Sequence, residues 1–223
     1  DDVVKRGVEA ALAQVENYST KSPYKRGIRE QMTFRSFRSL WRRINSRVKS
    51  DLDPALVWRE IVSFIKGSIV ALDLMDSDRS DPNKRFLSRD QYIALPRKVS
   101  RLSEKQRGVV FELFQSYEAL KKKEGMFDEM DVVYNLAGRA LLFCCQHQSN
   151  SRTLPIDALY VDEVQDFTQA ELFLLAKLSR DPNNLMLAGD TAQSIAVGVG
   201  FRFIDVRQIF YNHFGGMEPD LLQ

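Results

Sequence analysis

Two short apolar runs, Ala158-Leu159-Tyr160-Val161 and Leu185-Met186-Leu187-Ala188, flank a longer apolar segment, and each run leads directly into acids. Unbroken apolar character over four residues predicts a strand buried on both faces. Between the runs, Thr168 and Glu171 form a capping box, and Glu171 to Leu178 is apolar nearly all round, as in a buried helix. Arg180-Asp181-Pro182-Asn183-Asn184 reads as the turn that follows. Strand, helix and strand at this spacing require a right-handed crossover in a parallel sheet. Open sheets of this kind bind ligands at the carboxyl ends of their strands, which is where the acids fall.

The preceding 150 residues read as helices. Phe34, Phe37, Leu40, Trp41 and Ile44 recur at helical spacing, with Arg35, Arg38 and Arg42 along another face. Asp53-Pro54 is a cap followed by a first-turn proline, and Val57, Ile61, Phe64 and Ile65 make a stripe ending at Gly67. Residues 73–87 are polar and read as a loop. Capping boxes at Ser88/Gln91 and Ser103/Gln106 open a short and a longer helix. The longer one carries Val110, Leu113, Phe114, Tyr117 and Leu120 and ends in Lys121-Lys122-Lys123, which suit its dipole, before Gly125 stops it. Asp128 and Asp131 favour the start of another helix with Val132, Leu136, Ala140 and Leu141 as its apolar positions. The expected division is 1–50 as a basic helical part, 51–150 as a helical subdomain and 151–223 as the α/β part.

Composition excludes several classes. No apolar run approaches the roughly 18 residues that span a bilayer, so no membrane role is expected. The adjacent Cys144 and Cys145 cannot readily pair with each other. They point to a reducing compartment, nucleus or cytoplasm, and with His147 they lack the second ligand pair of a structural metal site. Net charge is only +2, but the first fifty residues are strongly basic, which is compatible with nucleic acid or with a solvated surface. The chain begins Asp1-Asp2 with neither methionine nor signal peptide, and an excised piece of a longer protein is the expectation.

The acids carry the chemistry. The first strand delivers Asp162-Glu163-Val164-Gln165-Asp166 and the second Gly189-Asp190-Thr191-Ala192-Gln193-Ser194. Two carboxylates at one tip suit phosphoryl transfer, one holding Mg²⁺ through its waters and the other orienting and deprotonating an attacking water. An Asp-Glu pair alone can simply cap the next helix; the two tips together form a far longer pattern.

That pattern resembles the second and third motifs of superfamily 1 helicases of the UvrD/Rep type, Asp-Glu-x-Gln-Asp and Gly-Asp-x-x-Gln-Ser-Ile. Ala158 to Phe167 and Leu187 to Phe203 are also similar to the helicase-like region of large TPR- and ankyrin-repeat proteins and their fungal relatives. The resemblance implies an α/β fold, part of a RecA-like P-loop NTPase lobe with a large inserted helical subdomain. It implies ATP and Mg²⁺ as cofactors, single-stranded DNA or RNA as partner, and remaining motor domains in the parent chain. By the same resemblance Asp162 is the magnesium aspartate of the Walker B strand and Glu163 the catalytic base. Gln193 senses the γ-phosphate, Gln165 and Asp166 organise the hydrogen bonds between the two motifs, and Gln165, Asp166 and Asp190 are the cofactor-binding candidates. Phe201-Arg202 corresponds to an aromatic-arginine pair facing nucleic acid. Ala196 stands where the family has an aromatic, and Phe201 lies further from Gln193 than in bacterial enzymes, so Phe201 can stack on a base or pack internally. Thr33-Phe34-Arg35-Ser36 resembles a segment that touches the nucleic-acid backbone, with an ordinary amphipathic helix start as the other reading; this makes Thr33 and Arg35 candidates. Asp128 and Asp131 resemble a segment preceding the ATPase strand and are assigned capping.

No Gly-x-x-x-x-Gly-Lys-Ser/Thr occurs, so these residues lack the phosphate cradle and are expected to be inactive alone. A helicase-like scaffold or protein-interaction module of a large repeat protein is the other reading.

Overall fold

The described residues of the computed structural model are 30–71, 85–146, 156–190 and 203–216, with 139–146, 203 and 205 as backbone alone. They form a mixed helix and sheet structure whose one small sheet has two parallel strands. Helix α1 (Phe34–Ile44) starts at Thr33, whose Oγ1 accepts the Ser36 N–H at 3.3 Å, and buries Phe37 and Ile44. Helix α2 (Pro54–Arg59) is capped by Asp53, whose Oδ1 accepts the N–H groups of Ala55 (2.7 Å) and Leu56 (3.3 Å).

The expected stripe through Val57, Ile61 and Ile65 is fully buried, but from Glu60 to Lys66 the backbone widens into a π-helix closed by Gly67. This segment is enclosed on nearly all sides, so its two buried charges need partners. Glu60 Oε2 accepts from Tyr92 Oη (2.7 Å) and Ser100 Oγ (2.9 Å). Burial raises the proton affinity of Glu60, and those two hydroxyls, Arg59 and Arg107 partly offset it.

Lys66 enters a buried ionic network. Its Nζ lies 2.5 Å from Asp128 Oδ2, 3.0 Å from Asp131 Oδ1 and 3.1 Å from Glu118 Oε1. Lys121 Nζ reaches the same three carboxylates at 2.8, 2.7 and 2.8 Å. Tyr117 Oη donates to Asp128 Oδ2 at 2.7 Å. Burial alone would raise the Asp128 carboxyl, but Lys66 and Lys121 hold it well below the usual aspartate range. Burial likewise pushes the Lys66 ammonium down, and Asp128, Glu118 and Asp131 together reverse this and raise it.

Helices α3 (Arg89–Ile93) and α4 (Glu104–Lys123) both open with the expected capping boxes. Along α4, Val110, Leu113, Phe114 and Tyr117 are buried. Phe37, Trp58 and Tyr117 form an aromatic cluster with centroid separations of 5.1, 5.6 and 6.0 Å. Each such contact contributes about 0.5–1.5 kcal/mol beyond area burial.

Helix α5 (Glu129–Gln146) starts as expected: the Asp128 N–H donates to Asp131 Oδ2 and the Asp131 N–H to Asp128 Oδ1, each at 2.9 Å. Its buried face differs from the expected one. Val132 and Leu136 are exposed, and Met130, Val133, Tyr134 and Ala137 face the core. The ionic network fixes the first turn, and Tyr134 Oη donates to the Lys66 carbonyl at 2.5 Å, which sets the rotation. The side chains of Ala140, Leu141, Cys144, Cys145 and the whole of His147 lie outside the described residues, as does most of the 73–87 loop.

Strand β1 (Leu159–Val161) pairs in parallel with β2 (Leu185–Leu187), Tyr160 opposite Met186. Burial on both faces is not found: Tyr160 is 76% and Met186 52% exposed, on the face opposite the crossover helix. That helix, α6 (Gln169–Leu178), fulfils the expectation of burial all round by sitting between two cores. Ala170 and Leu174 join the core of α1 to α5, while Leu172 and Ala176 join Val161, Val164 and helix α7 (Phe203–His213). The first turn of α6 docks on the end of the π-helix: the Ala170 N–H donates to the Gly67 carbonyl at 2.9 Å. A Cβ on Gly67 would lie 2.9 Å from Thr168 Cβ and 2.2 Å from the Val62 carbonyl oxygen, so only glycine fits this approach. Residues 31–223 make one compact unit.

Candidate functional site at the strand tips

Past the last paired residue of β1 the chain stays tied to β2. The Ala188 N–H donates to the Val161 carbonyl at 2.8 Å, and the Val164 N–H returns to the Ala188 carbonyl at 2.9 Å. A regular parallel ladder would bring the Glu163 N–H to that carbonyl, so Asp162 and Glu163 take up one extra residue between these bonds. Glu163 lies in the left-handed region, at φ 53° and ψ 42°, before the 3₁₀ turn Val164–Asp166. A non-glycine residue held there stores on the order of 1–3 kcal/mol, which the surrounding bonds must sustain. Val164, completely buried, anchors the turn.

Gln165 joins the two tips. Its side chain is buried, its Nε2 donates to Glu163 Oε2, and its Oε1 accepts the Asp190 N–H at 2.9 Å. One amide therefore fixes a carboxylate from the first tip and the backbone of the second. Gly189 makes room for it: a Cβ there would lie 2.4 Å from Gln165 Oε1 and 2.7 Å from Val164 Cγ1. The glycine before Asp190 is thus a packing requirement of the glutamine.

Asp162, Glu163, Asp166 and Asp190 are all exposed at this edge. Asp162 Oδ1 accepts the Glu163 N–H at 2.9 Å. Neither Asp162 nor Glu163 has an ion-pair partner among the described residues. Among the described residues no three His, Cys, Asp or Glu side chains converge as a complete metal cage. One outward carboxylate is nevertheless a donor set that suits Mg²⁺, which keeps most of its waters and takes one or two carboxylates with substrate phosphates. The phosphate side has no counterpart, because a glycine-lysine cradle is absent from the sequence.

Of the expected site residues, the structure brings Asp162, Glu163, Gln165, Asp166 and Asp190 to one edge. Gln193, Phe201 and Arg202 lie outside the described residues. Thr33 is occupied as the α1 cap and Arg35 is exposed on α1; no hydrogen bond or ion pair joins them to the strand tips. What the sequence did not reveal is the support behind the edge: the space Gly189 leaves for Gln165, the left-handed Glu163 and the docking of Thr168 on Gly67. The adjacency of Gly189 to Asp190 was the one available signal for the first of these.

Two comparisons bear on this arrangement. The family model described as the UvrD/REP helicase N-terminal domain matches residues 25–209. TPR and ankyrin repeat-containing protein 1 of Homo sapiens is 42% identical over 186 residues, which cover 82% of this chain and 6% of that protein.

Proposed function

The chain belongs to the UvrD/REP helicase family, and from that membership we propose that it forms part of the first, RecA-like lobe of an ATP-driven translocase on single-stranded nucleic acid. The observation that carries this reading is the joint fixation of two acidic strand tips by Gln165. A scaffold has no physical need to cluster exposed carboxylates at a ligand-binding edge. In this reading Asp162 holds Mg²⁺ through water, and Glu163 takes the proton of the attacking water. Bound Mg²⁺ supplies charge neutralisation at the phosphates. Gln165 holds the Glu163 carboxylate in place, which leaves its remaining oxygen free to orient water. Gln193 would sense the state of the nucleotide, and Phe201 and Arg202 would contact the nucleic acid. Residues 51–150 would be the inserted helical subdomain, and the location intracellular.

The chain spans a small part of its human relative, so hydrolysis is tested on the full-length protein that contains it. Turnover of ATP is measured with and without single-stranded DNA or RNA, beside Glu163→Gln. Stimulated turnover that falls by at least about a hundredfold in the variant supports the motor reading, on the scale expected for a general base. A folded full-length protein without turnover refutes it. That result favours a helicase-like scaffold within a repeat protein, the reading to which the relative's repeats point.

A further inference from the structure

We infer that the end of the π-helix positions the acidic edge: Gly67, Thr168 and Gln169 fix where Glu163 stands, although none of them belongs to the strand tips. Their effect on turnover rests on the reading of Glu163 as proton acceptor, whereas their effect on the edge is measurable without ATP. Glu163 is held from two sides. Toward β2 the hold is the Gln165 amide, which joins its carboxylate to the Asp190 backbone. In the other direction only Val164 to Phe167 separate Glu163 from Thr168, where the chain meets the helices. That span has little slack. The Asp166 N–H donates to the Glu163 carbonyl at 2.9 Å and the Phe167 N–H to the Val164 carbonyl at 3.2 Å, with Val164 and Gln165 buried. A bonded, close-packed turn passes a displacement of Thr168 on to Glu163 instead of absorbing it.

Thr168 is fastened by buried groups. It is 3% exposed and exchanges bonds with Glu171 in the capping box, its N–H donating to Glu171 Oε2 at 2.7 Å. The residues that follow bind the exit of the π-helix. The Ile69 N–H donates to Gln169 Oε1 at 3.1 Å, and the Ala170 N–H donates to the Gly67 carbonyl at 2.9 Å. Behind this joint Lys66 is fixed twice: Asp128, Asp131 and Glu118 hold its ammonium, and Tyr134 Oη donates to its carbonyl. Helices α4 and α5 therefore present residues 67–69 to α6 as a fixed surface.

The closeness of the joint makes it sensitive. A Cβ on Gly67 would lie 2.9 Å from Thr168 Cβ and 3.0 Å from Thr168 Cγ2. Carbon atoms rest at about 3.5–4.0 Å, so a methyl group there drives Thr168 and the π-helix apart by roughly 0.5–1 Å. A misplacement of about 1 Å in a catalytic group costs on the order of a hundredfold in rate. A joint that only fastened two cores would, when loosened, lower stability throughout the chain. A joint that positions Glu163 would, when loosened, disturb the strand tips and leave α4 as it was. The observations favour the second. Bonded backbone runs from Thr168 back to Glu163, while α4 is tied to the π-helix by the separate ion pair of Lys66 with Glu118.

Gln169→Leu and Thr168→Val each remove one polar anchor of the joint, while Gln169→Glu and Thr168→Ser keep an acceptor in the same place. Amide hydrogen exchange of the whole chain, read by NMR, reports on the edge without ATP. In the first pair of variants the amides of Asp166 and Asp190, bonded to the Glu163 carbonyl and Gln165 Oε1, should exchange about tenfold faster. Those of Leu113, Phe114 and Tyr117 in α4 should stay within about twofold of the unaltered chain. The second pair should stay within about twofold at all of these amides. In the full-length protein with single-stranded nucleic acid, Gln169→Leu and Thr168→Val should lower kcat about tenfold with KM for ATP unchanged. Gly67→Ala should lower it by up to about a hundredfold, and should that variant fail to fold, the other two decide. No change at Asp166 and Asp190, or an equal rise in α4, would overturn the inference, as would turnover with kcat intact or with KM raised instead. A full-length protein without turnover would refute the motor reading alone, and the exchange result would then decide the positioning.

Discussion

Two regions of this molecule concentrate carboxylates, and they do so in opposite ways. Around Asp128 three acids meet two lysines and a tyrosine hydroxyl inside the protein, with Asp128, Lys66 and Lys121 nearly inaccessible. At the strand tips four acids stand in solvent, with Asp162 and Glu163 unpaired and Glu163 in a left-handed backbone. The first arrangement satisfies every charge within the fold and ties the π-helix to α4 and α5. The second leaves charge outward and holds it there with a buried amide. Carboxylates that face their counterions serve the structure, while Asp162 and Glu163, which have no ion-pair partner among the described residues, are available to a cation or a water.

The comparison is broken most forcefully at Asp128. Asp128→Ala removes the most buried of the three carboxylates that two buried ammonium groups share, and should cost about 3–5 kcal/mol in denaturant unfolding. The sign of its pH dependence follows from the directions above. The Asp128 carboxyl is held low, so its contribution is present above the ordinary aspartate value of about 3.9 and is lost as pH falls through the folded value. Lys66 is held high, so its contribution is present below about 10.4 and is lost as pH rises through its folded value. The contribution of this ionic network should therefore be level between those limits in the unaltered chain, and the acid loss should be smaller in Asp128→Ala. An unfolding free energy unchanged by this substitution would remove the structural side of the contrast.

Gly189→Ala tests the other region at its support. The added carbon meets Gln165 Oε1 and Val164, and overpacking of this kind costs about 1–3 kcal/mol. Because the clash falls on the clamp, hydrogen exchange at Val164 and Asp190 should accelerate more than in α4. A uniform change across the chain would show that the tips are not supported locally. The smallest effect is expected at Glu163→Gly. Relief of the left-handed backbone, about 1–2 kcal/mol, is opposed by about 0.5–1 kcal/mol of glycine entropy and by about 0.5–1.5 kcal/mol for the lost hydrogen bond from Gln165, leaving stability within about 1 kcal/mol of the unaltered chain. Loss of more than about 1 kcal/mol there would mean that the Glu163 side chain serves the fold, against the comparison.

Much of this was legible in the amino-acid order. The capping boxes at Ser88, Ser103 and Thr168 form as read, because a hydroxyl and a carboxylate or amide three residues apart need only local geometry to meet. The crossover is likewise present, since apolar strand, buried helix and turn permit few other arrangements. The rotation of α5 was not legible: Val132 and Leu136 have the right period, but Lys66 and Tyr134 choose the face. Nor was the exposure of Tyr160 and Met186, because an apolar run states what a strand can bury and not which neighbours are there to bury it.

Sequence by itself determined the local elements, the family pattern and the identity of the acids at the strand ends, all of which depend on residues close in the chain. Only the tertiary structure decided which acids are neutralised. Lys66 stands 62 residues before Asp128, Gln165 25 before Asp190, and Arg43 81 before Glu124. Whether a charge is buried, paired or left for a ligand depends on what packing brings within about 4 Å, and separation along the chain carries no information about that.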